Sequence, residues 1–289
     1  MPFYPQKSPT LSFELFPPKT AASEEAMYSS VGELMEFAPD MITCTYGAGG
    51  STQTKTLEIL REVKSRFNVR VASHLTCVGS TVEQLKEYLQ QAIDQGVEGI
   101  VALRGDPPKG TTTFTAVAGG LRWASDLVHL IHTEFPQLGI AVAGYPETHQ
   151  EAISPQADLD NLKRKVDLGG DCVVTQLFYD NEDFFRFRDR CEAMGIKVPL
   201  IPGILPVTNL GQIQRIASLC KAKLPDEFVS RLGEQEDPQW HFDVGVEFAT
   251  RQVEQLLANG APGMHFYVLN KSQATLRVLR QVWPSKVSS

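Results

Sequence analysis

"TLSFELFPPKT", Thr10 to Thr20, sets a glutamate inside an apolar, strand-like run that stops at two prolines. Along a strand successive side chains point to opposite faces, so Phe13 and Leu15 share one face and Ser12, Glu14 and Phe16 the other. Pro17 and Pro18 end the run, since proline has no N–H to give to a ladder. Seven further β-rich runs follow: "MITCTYG" (41 to 47), "RVASHLTC" (70 to 77), "GIVALRG" (99 to 105), "GIAVAGYP" (139 to 146), "CVVTQLF" (172 to 178), "VPLIPGILP" (198 to 206) and "GMHFYVLN" (263 to 270). Helical patterns separate them. In "TVEQLKEYLQQAIDQG" (81 to 96), Val82, Leu85, Leu89 and Ile93 form one apolar stripe and Gly96 supplies the stop. Eight strand–helix units in 289 residues predict a (β/α)8 TIM barrel, α/β in class, with its core over about residues 11 to 282. An open doubly wound sheet is the alternative. No Pro/Gly/Ser-rich linker divides the chain, so residues 1–289 read as a single domain. Two insertions interrupt the rhythm, "PPKGTTTFTAVAGGL" after the fourth strand and "KLPDEFVSRLGEQEDPQ" before the last helix–strand unit. The first falls on the face where barrel chemistry lies and is placed to act as a lid.

Bulk composition narrows the function classes. The N-terminus has no basic segment followed by an apolar one, and no run is apolar enough to span a bilayer, so a cytoplasmic protein without membrane association is expected. The five cysteines form no CxxC pair and read as buried thiols, with neither disulfide nor metal site expected. A formal net charge of −7 argues against nucleic acid as a partner. Any anionic ligand must then be held by local cations.

In a barrel the C-terminal ends of the strands carry the chemistry, and parity tells which residues face inward. Glu14 faces the mouth; Thr43 and Thr45 share a face, as do His74 and Thr76. The fourth strand ends with Arg104 and Asp106 in phase, the fifth with Tyr145 and Glu147, the sixth with Gln176. Each has a bland reading taken singly: Glu14 as the partner of a buried cation, His74 as a core histidine, Tyr145 as a packed aromatic, Gln176 as a loop cap, Arg104 and Asp106 as an ion pair. Their convergence on one rim favours a site. Familiar templates fail here. "YGAGGST" has Thr52 where a dinucleotide fingerprint needs its third glycine, and "GDPPKGTT" has Thr111 where a phosphate loop needs lysine. The helix after the fifth strand opens with Ser154 as N-cap and Pro155, turns Leu159, Leu162 and Val166 to the core, and carries Asp158, Asn161, Arg164 and Lys165 on a second stripe. That stripe is either a solvated face or a clamp for ribose hydroxyls and phosphates.

Taken in order, "FELFPPK", "TYGAGGS", "HLTC", "ALRGDPP", "YPETH", "QADLDNLKRKVDLGGD", "TQLFYD", "RFRDRC", "PGILPVTN" and "HFYVLN" resemble the methylenetetrahydrofolate reductase family, over about residues 11 to 280. The resemblance implies a bacterial-type, catalytic-barrel-only flavoprotein oxidoreductase. It would use FAD and reduced nicotinamide dinucleotide, NADH or NADPH, to convert 5,10-methylenetetrahydrofolate to 5-methyltetrahydrofolate, supplying methyl groups for methionine synthesis. Hydride would pass through flavin N5 in ping-pong order, with Glu14 as general acid and Asp106 as second catalytic residue beside flavin and pterin. It implies FAD contacts from Thr45, Tyr46, Ala48, His74, Arg104, Gly105, Asp106, Ala124, Tyr145, His149, Ala152, Asp158, Asn161, Arg164 and Lys165. Folate contacts would come from Asp106, Gln176, Gln212 and Lys271. Residues 208 to 221 hold no aromatic residue for stacking on a ligand, and Lys271 would offer a point charge where some relatives have arginine. The small-molecule substrates would be its partners, together with further copies of the chain in a homo-oligomer. The competing readings are a lysine-dependent barrel aldolase using Lys165 or Lys271, and a flavin- or folate-binding paralogue without turnover.

Overall fold

Every β-rich run forms a strand, and all of the strands pair in parallel. The structure, a computed structural model, describes residues 2–5, 9–46, 53–106 and 114–283. The strands are β1 (Thr10–Leu15), β2 (Met41–Cys44), β3 (Val71–Thr76), β4 (Gly99–Leu103), β5 (Gly139–Gly144), β6 (Cys172–Thr175), β7 (Leu200–Ile201), β8 (Gly203–Ile204) and β9 (Gly263–Tyr267). Their order is β7-β6-β5-β4-β3-β2-β1-β9-β8. β7 and β8 are two halves of one run parted at Pro202; the first half pairs with β6 and the second with β9. The run therefore joins the two ends of the sheet, and the fold is a barrel rather than an open doubly wound sheet.

The strands stop short of the runs expected from sequence. "MITCTYG" pairs only to Cys44, "CVVTQLF" to Thr175 and "GMHFYVLN" to Tyr267. At these C-terminal ends the chain leaves the ladder to build loops, so apolar character outlasts pairing. The parity of β1 holds: Leu11, Phe13 and Leu15 join the core between sheet and helices, while Ser12 and Glu14 point inside. Arg104 departs from expectation. Val101 and Leu103 are the inward residues of β4, and Arg104 lies past its end, where alternation no longer applies.

The helices are α1 (Ala21–Leu34), α2 (Gln53–Phe67), α3 (Val82–Asp94), α4 (Ala124–Glu134), α5 (Pro155–Asp167), α6 (Asn181–Ala193), α7 (Leu210–Cys220), α8 (Asp226–Leu232), α9 (Pro238–Ala258) and α10 (Gln273–Val282). Helix α5 starts as read, with the Ser154 hydroxyl accepting from Ala157 N and Pro155 in the first turn. The second insertion folds as α8, whose Phe228 and Leu232 are buried in one cluster with Val244 of α9. Of the first insertion, the described part begins at Phe114, and Gly120 bridges to Thr81 ahead of α3.

The barrel floor is closed by the N-terminal segment. Phe3 and Tyr4 are buried among Met41, Ala72, Val101, Ala141, Cys172, Val174 and Ile201. Gly139, the first residue of β5, is required by this approach: a Cβ there would lie 2.5 Å from Phe3 Cα. Phe3→Ala is expected to lower stability by about 3–5 kcal/mol, as for other fully buried Phe→Ala changes, read as a lower urea midpoint at unchanged m-value.

Candidate active site

The barrel interior has two chemical halves. β4, β5, β6 and β7 line it with Val101, Ala141, Cys172, Val174 and Ile201. β1, β2, β3 and β9 line it with Ser12, Glu14, Thr43, His74 and His265, all buried. Register places Glu14 beside Thr43 of β2 on one side and Tyr267 of β9 on the other. Glu14 Oε2 lies 3.1 Å from His74 Nε2 and 3.3 Å from His265 Nε2. The contact to His265 is a hydrogen bond. His74 Nε2 lacks hydrogen-bond geometry to Glu14, and together with Thr43 Oγ1 it is a buried polar atom without a hydrogen-bond partner among the described residues. Both imidazole contacts fall on Oε2; Oε1 makes no hydrogen bond among the described residues.

Glu14 is therefore not simply a carboxyl whose proton is retained by burial. Desolvation does raise its pKa, but the charge of His74 and the hydrogen bond from His265 outweigh it and bring the value down to about 2. In the ligand-free protein it is a carboxylate.

A second cluster lies over the ends of β4 and β5. Arg104 holds Glu151 through two hydrogen bonds, Nη1 to Oε2 at 2.7 Å and Nη2 to Oε1 at 2.9 Å, and its guanidinium lies 5.2 Å from the Phe114 ring centroid. Tyr145 meets His149 edge to face at 4.6 Å, and Asp158 Oδ2 accepts from His149 N at 2.9 Å. Burial raises the Tyr145 phenol and lowers the His149 imidazole; Asp158 and Asp106 also act on Tyr145, which places the rim carboxylates around this ring. The stripe on α5 divides. Lys165 turns inward and donates from Nζ to Ala143 O at 2.6 Å, and loss of solvent lowers its pKa to about 8 against the pull of Asp158. Asn161 and Arg164 stay exposed. The Tyr46 hydroxyl is engaged at the end of β3, donating to Thr76 Oγ1 and accepting from Thr76 N.

The remaining expected residues fall as follows. Thr45 follows β2, Gly105 and Asp106 follow β4, Ala124 opens α4, and Ala152 closes the turn after β5 by donating from N to His149 O. Ala48 lies outside the described residues. Gln176 follows β6, and its side-chain oxygen accepts from Leu177 N. Gln212 and Lys271 are exposed, on α7 and on the loop after β9, and neither touches the Glu14 cluster among the described residues. Sequence reading missed His265, although the alternation that turns Tyr267 inward also turns His265 inward. It also missed Glu151, and Asn270, whose side chain accepts from Phe16 N at 2.9 Å and donates to Phe16 O at 2.7 Å, pinning the chain two residues past Glu14. A separate cavity of about 460 Å³ between α6, α8 and α9 shares no lining residue with either cluster. Among the described residues there is no group of metal-ligating side chains and no helix long and apolar enough to cross a membrane.

The depressed pKa has a consequence for stability. Glu14's folded pKa lies below its ordinary value of 4.5, so its ionic contribution is present above that pH and is lost as pH falls toward 2. The stability difference between wild type and Glu14→Gln is expected to shrink by about 3 kcal/mol across this window, followed by urea unfolding at stepped pH.

A family model for methylenetetrahydrofolate reductase matches residues 3–283. The chain is 40% identical over 271 residues to 5,10-methylenetetrahydrofolate reductase of Pectobacterium carotovorum subsp. carotovorum, covering 93% of this chain and 88% of that protein. It is 38% identical over 285 residues to methylenetetrahydrofolate reductase (NADH) 1 of Arabidopsis thaliana, covering 95% of this chain and 48% of that one, so it spans about half the length of the plant relative. Among solved structures, a Clostridium thermocellum protein described as binding two copies of 5-methyl-5,6,7,8-tetrahydrofolic acid superposes with a TM-score of 0.63 at 13% identity, over 96% of this chain and 94% of that one. That likeness shows the barrel fold. With the family model spanning nearly every described residue, the chain belongs to the methylenetetrahydrofolate reductase family.

Proposed function

We propose that this protein reduces 5,10-methylenetetrahydrofolate to 5-methyltetrahydrofolate with NADH as electron donor and bound FAD as carrier. The observation that carries the reading is a buried carboxylate at the mouth of a barrel of this family, anchored through Oε2 by two imidazoles and open at Oε1. NADH is favoured over NADPH because the matching plant relatives carry NADH in their names.

The residues present fit FAD. His74 Nε2 and Thr43 Oγ1 are buried beside the mouth without a hydrogen-bond partner among the described residues. On the rim, Lys165 and Arg164 would hold phosphates, Asp158 and Asn161 ribose hydroxyls, and Thr45, Tyr46, Arg104, Gly105, Asp106, Ala124, Tyr145, His149 and Ala152 would complete the contacts. When bound, FAD supplies a hydride carrier between NADH and folate.

The chain's own chemistry is the proton. In the substrate one carbon bridges two nitrogens of a five-membered ring. Glu14 Oε1 gives its proton to one nitrogen, the C–N bond breaks with its electron pair going to that nitrogen, and the carbon becomes an iminium cation facing the new carboxylate. Because Glu14 is ionised in the ligand-free protein, it takes up this proton from solvent as folate enters the mouth, before water is shut out: the incoming substrate strengthens the desolvation that already opposes ionisation. Asp106, exposed past β4, and Gln176, past β6, would orient the pterin, with Gln212 and Lys271 toward the folate tail.

The purified protein is expected to be yellow, to bleach with NADH without oxygen, and to recover colour with methylenetetrahydrofolate. Glu14→Gln should bleach but recover at least a hundredfold more slowly; normal recovery would remove Glu14 from its role. Asp158→Ala should weaken FAD retention tenfold or more, measured as flavin per chain after gel filtration.

A further inference from the structure

Behind Glu14 the polar half of the barrel continues to the floor as a single file of hydrogen bonds. Glu14 Oε2 meets His265 Nε2 at 3.3 Å, His265 Nδ1 meets Ser12 Oγ at 2.8 Å, and Ser12 Oγ meets Tyr4 Oη at 2.6 Å. All four residues are buried. The file joins β1, β9 and the N-terminal segment that closes the barrel.

Its direction follows from counting donors. A carboxylate only accepts, so Nε2 of His265 must carry a hydrogen. If the ring is neutral, Nδ1 is an acceptor, Ser12 must donate to it, and Tyr4 must donate to Ser12. Every donor is then used. If the ring were an imidazolium, Nδ1 would donate to Ser12, and of the two hydroxyl hydrogens on Ser12 and Tyr4 only one could serve the contact between them, leaving the other without an acceptor among the described residues. A buried, unused donor is the more expensive arrangement. Burial also holds the Tyr4 phenol well above its ordinary range, so it remains a donor throughout.

We propose that Tyr4 and Ser12 are positioning residues that fix His265 as the neutral Nε2–H tautomer, so that His265 anchors Glu14 by Oε2 and leaves Oε1 as the oxygen that exchanges the catalytic proton. No atom of His265, Ser12 or Tyr4 changes hands in the reaction. The titratable groups around Glu14 are His74 from β3 and His265 from β9 in contact with its carboxylate, and its register partner Tyr267; Tyr4 on the floor and Cys44, on the outward face of β2, feel its charge at longer range. His265 itself faces Glu14, Ser12 and the Tyr267 ring, edge to face at 5.1 Å. The inference rests on the reading of Glu14 as the acid.

The test uses the full chain labelled with 15N-histidine, its His265 signals assigned by their absence in His265→Gln. At pH 7 the wild type should show one protonated nitrogen in His265, Nε2, with Nδ1 a hydrogen-bond acceptor; signals of an imidazolium or of the Nδ1–H tautomer overturn the proposal without any variant. Ser12→Ala and Tyr4→Phe should shift the tautomer balance, and an unchanged balance in both also overturns it. In the holoenzyme, Ser12→Ala should slow flavin reoxidation by methylenetetrahydrofolate at least tenfold more than flavin reduction by NADH, with Ser12→Thr recovering to within about threefold of wild type. Failure of the two ideas is distinguishable: full reoxidation in Glu14→Gln fells the acid itself, whereas normal reoxidation in Ser12→Ala beside a defective Glu14→Gln fells only the positioning file.

Discussion

An ionised carboxylate buried inside a protein must be compensated where it sits, and Glu14 sets that demand on the rest of the barrel. Among the described residues no lysine or arginine answers it. Compensation comes from two imidazoles on neighbouring strands, His74 and His265, both on the same carboxylate oxygen. His265 in turn needs Ser12, and Ser12 needs Tyr4, so the requirement passes down to the floor. This explains why the interior is divided rather than uniformly apolar. The polar side chains fall on the consecutive set β9, β1, β2 and β3, and the opposite strands supply most of the packed apolar half, to which β2 and β3 add Met41 and Ala72 nearer the floor. The N-terminal segment serves both halves, Phe3 filling the apolar cluster and Tyr4 ending the polar file.

The rim follows a different rule. There the charged groups are paired with one another or with backbone, Arg104 with Glu151 and Lys165 with the Ala143 carbonyl. In a chain of net charge −7 these are the local cations an anionic ligand requires. Lys165 is poised differently from Arg104: its amine is already shifted toward neutrality by loss of solvent, and a nearby phosphate would restore the charge. Three of the six described non-glycine residues with positive φ lie at the same end of the barrel. Thr148, Leu269 and Asn270 adopt φ of 77°, 48° and 58°, each within a few residues after a strand. Asn270 shows what such strain holds in place, since its side chain binds both backbone groups of Phe16.

Period-2 alternation is local, so the strands, their inward faces and the orientation of Glu14, Thr43 and His74 were legible from the chain alone. The cap and first turn of α5 were legible for the same reason. What depended on distant partners was not. The sign of the Glu14 pKa shift turns on His74 and then on His265, the latter 251 residues away, and burial without those partners points the wrong way. Lys165 was read as one of four residues on a polar stripe, but the carbonyl of β5 draws it inward while Asn161 and Arg164 stay outside. Arg104 was assigned by a parity that ends with β4 at Leu103. The proposed substrate was never legible in periodicity; it rests on the order of many short motifs.

The seam that closes the barrel is also part of the site. Pro202 divides its strand, and the following amide, Gly203 N, donates to the Thr175 hydroxyl. The Thr175 carbonyl accepts from the Tyr267 hydroxyl at 2.8 Å, and the Tyr267 ring occupies the space a side chain on Gly203 would need, its Cε2 2.7 Å from where that Cβ would lie. Tyr267 is the register partner of Glu14 and stands edge to face on His265. A change at Thr175 or Gly203 therefore moves Tyr267 first and His265 next, before any effect on the helices outside. Closure of the sheet and orientation of the carboxylate share one chain of contacts, so loosening the seam must also loosen Glu14.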